Sequence, residues 1–163
     1  MAKSYWLMKS EPEECSIDDV LAALKKTVPW TGVRNYQARN FMRDAMQPGD
    51  GVLFYHSGCA EPGIAGIAKV ASAAYPDATQ FDRKSRYHDP AATPEQPRWV
   101  HVDVQAMRRI ELIPLAQLRA WPELADLAVL RRGNRLSITP VTAAQWQFIT
   151  GVLARPQRAG RKN

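Results

Sequence analysis

Apolar residues change their spacing along this chain, and each change predicts an element. Tyr5-Trp6-Leu7-Met8 is a short apolar run that reads as a first strand. Ser16-Ile17-Asp18-Asp19 then offers an N-cap hydroxyl with an acid three residues on. Ile17, Val20, Leu21 and Leu24 follow at helical spacing, and Lys25 and Lys26 suit the negative C-terminal end. Pro29-Trp30-Thr31-Gly32 breaks the pattern as a turn. Asn35 is a cap candidate for a second helix carrying Ala38, Phe41, Met42 and Ala45, ended by Pro48-Gly49-Asp50-Gly51.

Val52 to His56 and Ile64 to Val70 read as strands. The proline-rich stretch from Tyr75 to Pro97 reads as a long irregular loop, of the length that is usually functional or disordered. Trp99 to Val104 alternates, with Val100, Val102 and Val104 on one face and Trp99, His101 and Asp103 on the other. Leu115–Leu118 and Leu124–Leu130 read as short helices, the second stopped at Gly133. Thr139-Pro140 reads as the cap and first position of a last helix that buries Val141, Ala144, Phe148, Ile149 and Val152. Strands without a regular helical crossover argue against a doubly wound sheet. A mixed β-rich α/β fold, a largely antiparallel pseudo-barrel flanked by helices, fits the order better.

Length and composition narrow the class. The 163 residues, 45% hydrophobic and 23% charged, suit one soluble domain. No apolar stretch approaches the ~20 residues of a membrane span, and the opening segment has no signal-peptide core, so a cytoplasmic protein without a membrane partner is expected. Cys15 and Cys59, with His56, His88 and His101 widely spaced, give no metal-ligand count, so neither a metal nor a cofactor is expected. The net charge is +6, of which Arg155, Arg158, Arg161 and Lys162 supply +4. That division predicts a domain over 1–154 and a basic, disordered tail over 155–163, which can hold phosphates or simply be solvated.

No nucleophile elbow, phosphate loop or zinc-protease motif occurs, so no catalytic residue is assigned. The informative segments mix aromatic and polar residues at element ends: Lys9-Ser10-Glu11, Trp30-Thr31 with Arg34-Asn35-Tyr36, and Tyr55-His56-Ser57. Converging on one pocket, such residues can stack a planar base and read its edge. Each also has a plainer reading. Trp30 can plug the core, Tyr36 and Tyr55 can be half-buried, Asn35 can be only a cap, and Lys9 with Glu11 can be a surface pair.

The longer motifs resemble the EVE domain family, whose eukaryotic branch is the thymocyte nuclear protein family. They are Tyr5-Trp6-Leu7-Met8-Lys9-Ser10-Glu11-Pro12, Trp30 to Asn40, Phe54-Tyr55-His56-Ser57, and Gly63 to Ala68. Tyr75-Pro76-Asp77, Tyr87-His88-Asp89-Pro90, Leu130 to Ser137 and Pro140-Val141-Thr142 continue the likeness. His88 and Ala65 depart from the usual pattern. The resemblance implies a PUA-like fold and recognition of modified bases in nucleic acid; the expected protein is a non-enzymatic reader of a modified base in DNA or RNA, and a monomer. Lys9-Ser10 and Trp30-Thr31 look like counterparts of the cage residues of the related YTH domains.

The expected base pocket is Ser10, Trp30, Thr31, Asn35, Tyr36, Tyr55, Ser57 and Tyr87. Lys9, Glu11, Arg34, Arg39 and His56 are expected at its rim or on phosphates. Two rivals stand beside this: a nucleic-acid or nucleoside hydrolase using Lys9, Glu11, Tyr55 or His56, and a general RNA-binding module indifferent to modification.

Overall fold

The computed structural model describes residues 3–155, so the expected tail lies, past Arg155, outside the described residues. A six-stranded mixed sheet organises the chain. Its strands are β1 (Tyr5–Ser10), β2 (Thr27–Pro29), β3 (Gly51–His56), β4 (Gly63–Val70), β7 (Asp103–Pro114) and β8 (Ile138–Val141), in the order β2-β7-β4-β3-β1-β8. β5 (Tyr75–Pro76) and β6 (Val100–His101) form a separate two-stranded ladder. Four helices, α1 (Ile17–Ala22), α2 (Tyr36–Asn40), α3 (Leu115–Ala120) and α4 (Ala143–Ala154), flank the sheet. The mixed α/β fold with flanking helices is as expected. The sheet stays open, with β2 and β8 as its edges.

β1 and β3 run parallel, from Tyr5 opposite Gly51 to Ser10 opposite His56, while every other pair in the sheet is antiparallel. A parallel pair cannot be joined by a tight turn. The chain crosses over through residues 11–50, carrying α1, β2 and α2. β3 is buried from Gly51 to Tyr55, so both faces of the central sheet are covered.

Alternation splits those faces into two cores. Trp6, Met8, Val52 and Phe54 pack with Trp30, Val33 and Met42 on one side. Leu7, Leu53 and Tyr55 pack with Leu118, Leu124 and Ile149 on the other. Between β1 and β3 the buried Asp50 carboxylate accepts the Trp6 indole N–H at 3.0 Å and the Gln47 N–H at 2.9 Å. A buried carboxylate requires such donors.

Local signals set several ends. Ser16 and Asp19 form the expected capping box on α1. The Asn35 side chain accepts the Ala38 N–H at 3.0 Å and starts α2, which runs on as a π-helical segment over Phe41–Ala45. Three expectations fail. α1 stops at Ala22, and Lys25 and Lys26 adopt positive φ, which leaves Leu24 87% exposed rather than on a buried stripe. Leu124–Leu130 is two 3-10 turns, Pro122–Leu124 and Ala128–Leu130, rather than one helix. Thr139-Pro140 lies inside β8, pairing Leu7 and Trp6, and the cap of α4 is Thr142 in a capping box with Gln145.

The stretch between Tyr75 and Pro97 is ordered by its polar groups. The buried Gln80 amide donates to the carbonyls of Asp77 and Trp99, both at 2.7 Å, and accepts the Arg98 and Trp99 N–H groups at 2.9 Å. The alternating run at 99–104 breaks at Val102, whose carbonyl accepts the Trp30 N–H at 2.9 Å. Its two halves therefore belong to different sheets.

Candidate functional site

An open cavity of about 630 Å³ lies where the crossover leaves β1. Five segments build it: the end of β1 with the turn behind it, the end of β2 with residues 30–34, Ser57 just past β3, Tyr87, and the loop before β8. The Ser57 N–H donates to the Ser10 carbonyl at 3.0 Å and the Lys9 N–H to the Ser137 carbonyl at 2.8 Å, which fixes three of these walls to one another.

Trp30 closes the inner end. It is 7% exposed, its ring edge-to-face with Phe54 at 5.4 Å. The Tyr87 ring covers Gly32 so closely that a Cβ there would stand 2.5 Å from the Tyr87 Cζ, and φ of +88° at Gly32 independently favours glycine. The Tyr87 hydroxyl donates to Glu14, and burial with this bond pushes the phenol above its ordinary value. The Ser10 hydroxyl donates to the Cys15 carbonyl at 2.6 Å, leaving its lone pairs to receive a donor. Burial holds the Lys9 ammonium below its ordinary value. Carboxylates of Glu11 and Glu14 share the lining with Lys9, Arg34 and Arg135, so the site offers both signs of charge.

The wall at 30–34 is held from behind by Asp77. One carboxylate oxygen accepts the Gly32 N–H at 2.8 Å and an Arg34 N–H at 3.2 Å. The other accepts the Thr79 N–H at 2.9 Å and its hydroxyl at 2.5 Å. Burial alone raises an aspartate's value, but bonds from Thr79, Gly32 and Arg34 outweigh it and hold Asp77 below the ordinary range. Arg34 also donates to the Tyr87 carbonyl at 2.8 and 3.0 Å and to the Val33 carbonyl at 2.9 Å. Arg34 thus ties Tyr87 to the 30–34 turn and has little left for a ligand.

Of the expected site residues, Lys9, Ser10, Glu11, Trp30, Thr31, Arg34, Ser57 and Tyr87 meet at the cavity. Five do not. Tyr55 points to the opposite core, because adjacent strand residues face opposite ways. His56 accepts the Ile17 N–H at the start of α1 through Nε2 at 3.1 Å, with burial keeping its value low. Asn35 is occupied as a cap. Tyr36 is 52% exposed and stacks on Trp99, with the Arg39 guanidinium 4.7 Å from its ring. The Arg39 guanidinium also donates to Asn40 Oδ1 at 2.9 and 3.1 Å and to the Arg98 carbonyl at 2.9 Å. Among the described residues no three His, Cys, Asp or Glu side chains stand close enough to hold a metal ion, and no helix is long and apolar enough to cross a membrane.

The EVE domain family model matches residues 4–152. The chain belongs to the EVE domain family. Thymocyte nuclear protein 1 of Homo sapiens is 44% identical over 164 residues, covering 90% of this chain and 72% of the relative. A solved structure of a hypothetical protein from Leishmania major superimposes with a TM-score of 0.87 at 47% identity, covering 93% of this chain and 94% of the other. Human THYN1 protein, solved in complex with 5-methylcytosine containing DNA, superimposes with a TM-score of 0.88 at 42% identity, covering 95% of this chain and all of the other.

In this EVE domain, the sequence reading missed Asn134, Arg135 and Ser137 as lining residues and Asp77 as the anchor. All four sit in segments quoted for the family resemblance, Leu130 to Ser137 and Tyr75 to Asp77. That was the one signal available for them.

Proposed function

We propose that this EVE domain is a non-enzymatic module that takes a modified base of DNA, such as 5-methylcytosine, into the cavity beside Trp30. The observation carrying this reading is the cavity itself. Its volume of about 630 Å³ falls in the range of small-ligand sites. Its lining combines the Trp30 and Tyr87 rings with polar groups of Lys9, Ser10, Thr31 and Ser57. An extrahelical base is held in that way, between aromatic or apolar faces with hydrogen bonds to its edge. The relative solved with 5-methylcytosine containing DNA supports the same reading through a fold shared over almost the whole chain. The protein acts here as a monomer in the cytoplasm.

Fluorescence anisotropy with DNA and RNA oligonucleotides, each with and without one 5-methylcytosine, tests it. One methyl fitted into a pocket is worth ~1–3 kcal/mol, so methylated DNA should bind about 10-fold tighter or better. Trp30→Phe keeps an aromatic plug for the core while shrinking the ring, and should cut that preference. Equal affinity for both oligonucleotides would refute the reading, and release of a cleaved product would turn it toward the hydrolase alternative.

A further inference from the structure

The charges of this chain are unevenly placed. Through Asp126 it holds fifteen Lys and Arg against sixteen Asp and Glu; beyond it stand seven cations and no acid. Three of the seven, Arg131, Arg132 and Arg135, fall on the loop before β8, and all three are exposed. Their guanidinium groups make no ion pair or hydrogen bond among the described residues. The loop carrying them is fixed. The Asn134 amide donates to the Ala128 carbonyl at 2.7 Å, its Oδ1 accepts the Leu136 N–H at 2.9 Å, and its own N–H donates to the Arg131 carbonyl at 3.1 Å. Gly133 turns the chain at φ +77°. Asn134 and Arg135 themselves line the cavity.

Arg34 and Arg39, the expected phosphate contacts, have their donors committed to Asp77, Thr79, Asn40 and backbone carbonyls. A guanidinium already bonded on the protein must give up those bonds to take a phosphate. A free one on an ordered loop need not. We infer that the Arg131–Arg135 loop is the phosphate grip of this protein, holding the DNA backbone beside the nucleotide whose base enters the cavity. The inference rests on the proposed base-binding reading and adds a division of labour to it. The loop supplies affinity without reading sequence or methylation, and the Trp30 cavity supplies preference.

The test compares the full chain with its R131Q/R132Q variant, which spares the cavity-lining Arg135, and with an R155Q/R158Q/R161Q/K162Q variant of the tail. Binding to duplex DNA, methylated and unmethylated, is followed from about 50 to about 200 mM salt. Each phosphate contact contributes a slope of about 0.9 in log affinity against log salt, so two lost contacts should make that salt rise weaken the loop variant about 12-fold less than the parent chain. Affinity for both duplexes should fall together, with their ratio unchanged. A loop variant that keeps the parent's slope overturns the inference, as does a slope loss that appears only in the tail variant. A ratio that collapses with the loop overturns the division of labour. A parent chain with no methylation preference refutes the base-binding reading instead, and the slope still reports separately on the loop.

Discussion

Replacing Asp77 by asparagine takes one charge from behind the cavity and substitutes a donor for an acceptor. Each carboxylate oxygen now accepts two donors, Gly32 and Arg34 on one side and the two Thr79 groups on the other. The amide nitrogen fits best toward Thr79, whose hydroxyl can turn to accept, and this leaves the Thr79 N–H facing a donor. An unpaired buried donor costs about 1–3 kcal/mol. Arg34 loses its counter-charge, but its side chain is 21% exposed and keeps its bonds to Tyr87 and Val33, so this adds less than the full cost of breaking a buried pair. The sum is about 2–4 kcal/mol, read as a lower urea midpoint with an unchanged slope.

The pH dependence gives a second check on Asp77. Its folded-state value is depressed, so the stability it contributes is present above the unfolded value, about 3.9, and is lost as pH falls through the folded one. His101, 4.0 Å away, is held low by burial. The gap between parent and Asp77→Asn is therefore measured at about pH 7, where that histidine is neutral, and again well below 3.9. It should be full in the first and largely closed in the second. A neutral gap under about 0.5 kcal/mol, or one that survives acid, would refute the account of Asp77 as the anchor of the 30–34 wall.

Gly32→Ala should cost about 1–2 kcal/mol in backbone strain, plus the displacement of the Tyr87 ring that its Cβ would meet. In a double-mutant cycle with Tyr87→Ala by urea denaturation, part of that cost should be recovered, and strict additivity would deny the contact. Thr142→Ala removes the capping box of α4, far from the cavity. It should lower stability by about 1 kcal/mol in the same assay while leaving oligonucleotide affinity unchanged.

Short-range patterns carried much of this architecture. The Ser16 and Asn35 caps and the strands around Val52 and Ile64 are set within a few residues, and they appear where the spacing put them. Thr139-Pro140 misled because a hydroxyl before proline also fits a strand on the sheet edge, where a missing N–H costs little. Tyr55 misled because β3 is buried on both faces, so no polar alternation marks which side a residue takes. Asp77 has only Thr79 as a local partner, and nothing nearby marked it as the anchor of the 30–34 wall, since Gly32 and Arg34 lie 45 and 43 residues away. The cavity lining was legible where two strand ends present it, at Lys9-Ser10 on β1 and Trp30-Thr31 past β2, and hidden where distant loops close it.

The place of β1 between β3 and β8 has a consequence for synthesis. Lys9 and Ser10 are made long before the loop that faces them, and the Lys9 N–H waits for the carbonyl of Ser137, 128 residues later. Such long-range pairing folds slowly, because the loop must close before its contacts repay the entropy. A nascent chain on the ribosome therefore displays β1 with an open edge and has no complete cavity until the loop before β8 emerges. Any fragment ending before residue 137 lacks part of the cavity wall, so binding should appear only once Ser137 has been added.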